Sequence, residues 1–243
     1  MINQIKQIHT ESKGRYGAPK IYQLLLTKGF KVSLKRVQRL MKRAGVSSTI
    51  QKKYRPYMSK KEKVEERENL LKQDFSTTTI NEKWVADITY IHVLREGWCY
   101  LATVLDLHSK KVIGYSFSRN MTTDIVVEAL ENAYYTQRPS NELILHTDLG
   151  SKYTSQEFQN LLAERKMKAS FSRKGCPYDN ACIESFHASL KKEEVYQTNY
   201  VTFDEAKLAI FQYIEGWYNR KRIHSSIGYK TPQAMEEAAR KIA

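Results

Sequence analysis

The chain has 243 residues, of which 41% are apolar and 27% charged, and it carries a net charge of +14. That composition supplies one sizeable core plus a small accessory domain and excludes disordered and collagen-like classes. No stretch approaches the roughly 20 apolar residues of a membrane span, the opening MINQIKQIHTESKGRYG lacks the apolar centre of a secretory signal, and Cys99, Cys176 and Cys182 have no close pairing that suits a disulfide framework or structural zinc. A cytoplasmic protein with free thiols is expected.

The charge is unevenly placed. Residues 1–61 hold 16 Lys and Arg against one acid, Glu11, whereas the remainder holds 24 against 25. A basic module joined to a near-neutral one reads as a phosphate-binding device attached to something else; the competing reading is a solvated basic tail. Within the module, APKIYQLLLTK (Ala18 to Lys28) places Ile21, Leu24 and Leu25 on one helical face and ends at Gly29. A second helix, LKRVQRLMKRA, follows Ser33 as N-cap and stops at Gly45, with Val37, Leu40 and Met41 as its apolar stripe. Lys35, Arg36, Arg39, Lys42 and Arg43 form its other side. Two short helices about a glycine turn fit a helix-turn-helix whose second helix enters a DNA groove, against the alternative of a hairpin with a solvated basic face.

QKKYRPYMSKKEK (Gln51 to Lys63) reads as a basic linker able to track a nucleic-acid backbone, and Glu65 to Glu82 is expected to hold one helix. Three strands follow in meander order, Trp84–Val93, Tyr100–Leu107 and Lys111–Ser118. A helix over Thr123–Gln137, a strand over Glu142–His146, a helix near Ser155–Lys166 and a strand over Lys168–Phe171 come next. A meander continued by alternating helices and strands predicts an α/β mixed sheet flanked by helices. The last segment, Phe203 to Arg222, carries a helical stripe of Ala206, Ile210, Tyr213, Ile214 and Trp217, whose aromatics are expected in the core. Arg220, Lys221, Arg222 and His224 are left between phosphate contact and solvent.

Three carboxylates stand out. Asp87 sits in the middle of WVADITYIHV, an apolar and β-branched strand in which an unpaired charge is costly. Asp148 follows the strand in ILHTDLGSKYTS, where open α/β sheets place ligand groups. Glu184 lies on a helix begun near Asp179, with Asn180 four before it, His187 three after and Lys191 seven after, so one face presents an amide, a carboxylate, an imidazole and an ammonium. Asn180 is expected to support the carboxylates, and His146 and His187 are each expected to pack or to support the site rather than ligate, because Mg²⁺ prefers oxygen. Each acid alone also fits a surface, turn or solvated-helix role. If the three converge, their mutual repulsion calls for hard cations, and oxygen-only ligands suit two Mg²⁺ ions, or Mn²⁺, in phosphoryl transfer.

With 35 residues between Asp148 and Glu184, and Lys191 seven beyond, the set resembles the DD(35)E signature of retroviral integrases and related bacterial transposases. RYGAPKIYQLL, WVADITYI, YLATVLDLHSKKVIGYSFS, HTDLGSKYTS, CPYDNACIESFHASLKKE and YNRKRIHSSIGYKTPQA resemble the second-reading-frame product (OrfB) of insertion sequence 3 family transposases, from about Ile8 to Ala234. Leu149 stands where family members often carry Gln or Arg, a position that is not a ligand. The resemblance implies a ribonuclease-H-like core over residues 83–200, a helix-turn-helix-like module over 1–50, a linker over 51–82 and a C-terminal helical extension over 201–243. It implies a bacterial, Mg²⁺-dependent transposase that cleaves one strand at an element end and joins it to DNA, with Asp87, Asp148 and Glu184 as metal ligands and Lys191 on the DNA end. It also implies double-stranded DNA as partner, a homo-oligomer on that DNA, association with the nucleoid and an upstream-frame helix-turn-helix protein as fusion or partner. The alternative is a DNA-binding regulator of transposition that is inactive without its upstream frame.

Overall fold

A computed structural model describes residues 1–49, 67–140 and 142–241. The chain divides into two compact units, Met1–Pro56 and Tyr57–Ala243. The basic linker expected over residues 51–63 lies outside the described residues.

The first unit is a three-helix bundle of α1 (Ile2–Glu11), α2 (Ala18–Thr27) and α3 (Leu34–Ala44). Ile5, Ile8, Ile21, Leu25, Val37 and Met41 fill its core. Pro19 opens the first turn of α2, where its missing N–H costs nothing. The chain leaves α2 through Gly29 at φ +82°, and Phe30 N–H donates back to the Leu25 carbonyl at 3.0 Å. Ser33 caps α3 by accepting from Arg36 N–H at 3.3 Å, and Gly45 ends it at φ +66°. Lys35, Arg36, Arg39, Lys42 and Arg43 are all exposed. The helix α1 has no counterpart among the expected elements.

The second unit is built on a five-stranded sheet of order β3-β2-β1-β4-β5. Its strands are β1 (Lys83–Val93), β2 (Gly97–Asp106), β3 (Val112–Ser118), β4 (Leu143–Thr147) and β5 (Met167–Phe171). The first three form the antiparallel meander, and β4 and β5 add in parallel, so the sheet is mixed as expected. Helices α4 (Thr123–Gln137) and α5 (Gln156–Glu164) cover one face. There Trp84, Ala86, Ala102 and Val104 pack with Ile125, Ala129, Leu130, Phe158 and Leu162. β3 and α4 approach so closely at Gly114 that a β-carbon there would lie 2.7 Å from the Ala133 Cβ and collide with the Ala129 carbonyl. On the opposite face runs α6 (Ala181–Glu193), preceded by a 3₁₀ turn at Pro177–Asn180.

The C-terminal segment departs from one straight helix. α7 (Phe203–Phe211) widens into a π-helical stretch, Gln212–Tyr218, and α8 (Pro232–Arg240) ends the described chain. The wider turn carries Asn219 to the free edge of β3, where its side chain accepts from Val112 N–H at 3.0 Å and donates to the Val112 carbonyl at 2.9 Å. Ala206, Ile210, Tyr213, Ile214 and Trp217 are buried. The helix expected before β1 is absent over the described residues 67–82. Short polar side chains capture the backbone instead: Asp74 accepts from Ser76 N–H, Glu82 from Thr78 and Thr79 N–H, and Asn69 from Lys72 N–H. Lys72, Gln73 and Asn81 adopt positive φ, which ends any helical run.

Candidate active site

β1 outruns its parallel neighbour. Pairing with β4 covers only Lys83–Val85 against Ile144–His146, so from Ala86 onward that edge of β1 opens into a crevice. Parallel sheets place ligand groups beyond the C-terminal ends of such strands. Asp87 stands two residues past the last pair, and Asp148 directly follows β4.

The local chemistry that orients each group is visible. Asp87 lies directly across the ladder from Thr103, and α6 lays His187 over both. Thr103 Oγ1 is 2.8 Å from His187 Nε2, and His187 Nδ1 is 3.5 Å from Asp87 Oδ2, while Asp87 Oδ1 accepts from Ile88 N–H at 2.8 Å. Asp148 turns back on its own loop, Oδ1 accepting from Gly150 N–H at 2.9 Å, and a β-carbon at Gly150 would stand 2.8 Å from that oxygen. Glu184 occupies the first turn of α6 and Lys191 its last, two turns along the same face.

Asp87 is the electrostatic centre. Protein atoms crowding Asp148 and, behind them, the charge of Asp87 raise Asp148 above its ordinary carboxylate range, although its tip remains open to solvent. Glu184 is raised by the same two causes in the same order, partly offset by His187, and is likewise accessible. Desolvation lowers the half-buried Lys191 ammonium and Asp87 works against that shift. The structure therefore brings Asp148, Glu184 and Lys191 each within the field of Asp87. Among the described residues no three His, Cys, Asp or Glu groups are already drawn tightly enough to enclose an ion. The donors nevertheless fit Mg²⁺, which retains waters and takes one or two carboxylates plus substrate phosphates, and the raised carboxylates lack the opposing charge a cation supplies.

Asn180 is buried at the start of α6 with its Oδ1 unpartnered among the described residues, and His187 touches Asp87. His146 is fully buried between Ser170 Oγ at 2.8 Å and Ser172 Oγ at 2.9 Å, and burial lowers it to about 4, so it packs as a neutral ring. Arg222 neither meets solvent nor waits for phosphate. It is buried against Glu193, with Nε–Oε1 at 3.0 Å and a second nitrogen at 2.9 Å, and the same carboxylate accepts from Tyr213 Oη and Trp217 Nε1. That anchor fixes the C-terminal end of α6, the helix bearing Glu184 and Lys191. Nothing in KKEEV distinguishes Glu193 from a solvated acid.

Tyr153 was not foreseen. Its hydroxyl is buried without a hydrogen-bond partner among the described residues, and burial followed by the charges of Asp87 and Asp148 holds it protonated. The available signal was an aromatic within the otherwise small and polar LGSKYTS turn. At the other end of α6, Asp179 is fully buried and anchored by Arg173, Asn69 and Gln73, and the bonds from Arg173 and then Gln73 hold its carboxyl well below the usual range.

Comparison with known proteins agrees with this architecture. Residues 1–54 match the HTH-like domain family, and residues 78–177 and 165–232 match integrase core domain families. The integrase catalytic core of HTLV-2, solved in complex with magnesium, superposes with a TM-score of 0.50 at 18% identity, covering 66% of this chain and 99% of that one. A chain of the simian T-cell lymphotropic virus intasome, in complex with a PP2A regulatory subunit, gives 0.53 at 16% identity, over 96% and 74%. Fold and matches define a DDE-type transposase/integrase with an integrase core and an N-terminal HTH-like domain. Transposase InsF of insertion sequence IS3A from Escherichia coli K12 is 39% identical over 227 residues, 93% of this chain and 78% of the relative. The transposase of insertion sequence element IS904 from Lactococcus lactis is 40% identical over 235 residues, 96% and 92% respectively. The chain belongs to the insertion sequence 3 family of transposases.

Proposed function

We propose that Asp87, Asp148 and Glu184 are the metal-binding and catalytic carboxylates of a strand-cleavage and strand-transfer reaction at insertion-sequence ends. The observation that carries the proposal is the position of Asp87: it stands where β4 leaves β1, and its charge acts on Asp148, Glu184 and Lys191 alike. Magnesium or manganese, the former present in the HTLV-2 structure, would be held by Asp87, Asp148 and Glu184. When bound, two such ions would supply activation of an attacking water or 3′-hydroxyl and stabilisation of the departing oxygen of the phosphodiester.

The remaining work falls to side chains of the chain itself. His187, held through Nε2 by Thr103, keeps the Asp87 carboxylate aimed into the crevice. Lys191 supplies positive charge for a DNA phosphate beside Asp87. Tyr153 keeps a proton available as a hydrogen-bond donor within the field of both aspartates, and Asn180 lends polar support at the start of α6. Lys35, Arg36, Arg39, Lys42 and Arg43 on the exposed face of α3 would engage double-stranded DNA. Joining requires two element ends, so a homo-oligomer on DNA is part of the proposal.

Replacing Asp87, Asp148 or Glu184 singly with Ala should lower strand transfer of element-end DNA by at least about 10³-fold, on pre-cleaved as well as intact ends. Full activity in any one of the three would overturn the assignment.

A further inference from the structure

The β1–β2 hairpin projects beyond the crevice and carries two ladder pairs of aromatic rings. Tyr90 faces Tyr100 and His92 faces Trp98, with ring centroids 5.5 and 5.2 Å apart in edge-to-face geometry. These rings, with Leu94 and Tyr196, line a cleft of about 790 Å³ whose remaining wall includes Lys191. Cross-strand aromatic pairs stabilise hairpins, but that role favours covered rings. Here Tyr90, Trp98 and Tyr196 are 48%, 59% and 70% exposed, a concentration of open aromatic surface rather than scattered rings.

Charge narrows the occupant. Among the described residues lining the cleft none is acidic, and its one charged group is the Lys191 ammonium, which also lies in the field of Asp87. A second copy would bring either a strongly basic first module, 16 Lys and Arg against one acid, or a near-neutral remainder, 24 against 25, and neither is a general charge complement to that ammonium. Nucleobases on a phosphate backbone match both features, because every base has a face that stacks on aromatic rings and every link carries a negative charge. Tyr90 and His92 lie three and five residues beyond Asp87 on β1, about 10–17 Å at roughly 3.3 Å per residue, and this odd spacing turns them to the other face of the strand, so the DNA strand would round the edge that β4 leaves open over at least about three to five base steps at 3.4 Å.

We infer that this cleft takes one or two unpaired nucleobases of the DNA strand being processed, stacked on Tyr90 and Trp98 with Lys191 on the neighbouring phosphate. The inference rests on the DNA strand-transfer reading given above. Nothing in that reading requires a base-binding cleft.

The test is a binding cycle between protein and DNA. The full chain and its Tyr90→Ala, Trp98→Ala and Trp98→Phe variants are titrated, without divalent ion, onto element-end duplexes that are intact or abasic at successive positions up to six nucleotides from the reacting phosphodiester. Each Ala variant should bind intact DNA about tenfold more weakly per base unstacked, and Trp98→Phe should bind like wild type. At one or two positions three to five nucleotides out, the abasic site should cost wild type about the same tenfold and the Ala variants nothing further. An Ala loss that persists at every abasic position, or no loss at all, overturns the inference. So does a DNA-free oligomer of the wild-type chain that dissociates with Trp98→Ala, which would assign the cleft to a second copy. If the wild-type chain fails to bind element ends, both readings fall; if it binds without coupling, only this one does.

Discussion

Replacing Glu193 tests what holds the helix that carries Glu184 and Lys191 in place. Its carboxylate is fully buried and accepts from Arg222, Tyr213 and Trp217, while Arg222 also donates to Ser189 Oγ at 3.1 Å. Glu193→Ala leaves a buried guanidinium without its counter-ion and strips two aromatic donors of their acceptor. Breaking one side of such a pair costs about 3–5 kcal/mol, because the surviving charge stays out of water. Replacing both partners with apolar residues, Glu193→Leu with Arg222→Met, removes the desolvation penalty along with the attraction but still leaves the Tyr213 and Trp217 donors without their acceptor, at about 1–3 kcal/mol each. With Glu193→Leu and Arg222→Met at about 3–5 kcal/mol each and the double at about 2–6, a coupling of about 4 kcal/mol is expected from the cycle. Urea unfolding followed by tryptophan fluorescence is a selective assay, since Trp84, Trp98 and Trp217 all lie in the second unit. A Glu193→Ala cost below about 1 kcal/mol, or a double variant as unstable as the sum of the singles, would refute the anchoring argument.

Three further outcomes are expected from the same structure. Asp148 and Glu184 are raised in the folded state, so their contribution to stability is present below the ordinary carboxylate range and is lost as pH rises through their raised values. The melting temperature of metal-free wild type relative to Asp148→Asn should accordingly fall as pH rises from about 4 to 7, by no more than about 2–4 °C because both carboxylates reach solvent, and Mg²⁺ should reverse the difference; a pH-independent difference would contradict the coupling to Asp87. Gly150→Ala should leave the unfolding midpoint within about 0.5 kcal/mol of wild type yet cut strand transfer roughly tenfold or more, since the new β-carbon displaces the Asp148 carboxylate rather than backbone; unchanged transfer kinetics would show that carboxylate to be freely movable. Neutralising Lys35, Arg36 and Arg39 together should weaken DNA binding and reduce the slope of log K against log salt by about 3, measured by anisotropy, whereas an unchanged slope would return the face to solvent.

The succession of strands along the chain was legible because local chemistry and tertiary need agree there, whereas the placing of β4 beside β1 was not expected. Val and Ile runs punctuated by glycine and polar turns give β1 to β3, and Thr123–Gln137 shows a helical apolar stripe that matches the buried face of α4. Lys35, Arg36 and Arg39 could be read as exposed because Val37 and Met41 fix the opposite side of α3. Residues 67–82 misled because their acids and amides suit a helix by composition but bond backbone groups two to four residues away, a competition that periodicity does not register. Arg222 was misread for a related reason: a basic cluster in YNRKRIH looks uniform in sequence, and only the π-helical widening of the preceding turn distinguishes the arginine that reaches Glu193. Tyr153 lies in a loop whose burial is set by the aspartates and α5 around it, with Phe158 packed edge-to-face at 5.4 Å, and no local pattern reports that.

The position of Asp87 joins fold to chemistry. A carboxylate in the middle of a fully paired central strand would be trapped in the core, and one on an outer strand would be solvated and mobile. β1 avoids both because the meander with β2 continues through Val93 while the parallel partner β4 stops pairing at Val85. Asp87 is thus held on one side by the ladder to Thr103 and open on the other, with α6 bringing His187, Glu184 and Lys191 across the gap. Extending the β1–β4 pairing would close the crevice, and shortening β1 would remove both Asp87 and the aromatic hairpin beyond it. The mismatch in strand length creates the opening, and the long meander supplies the rigidity that keeps a charged side chain fixed within it.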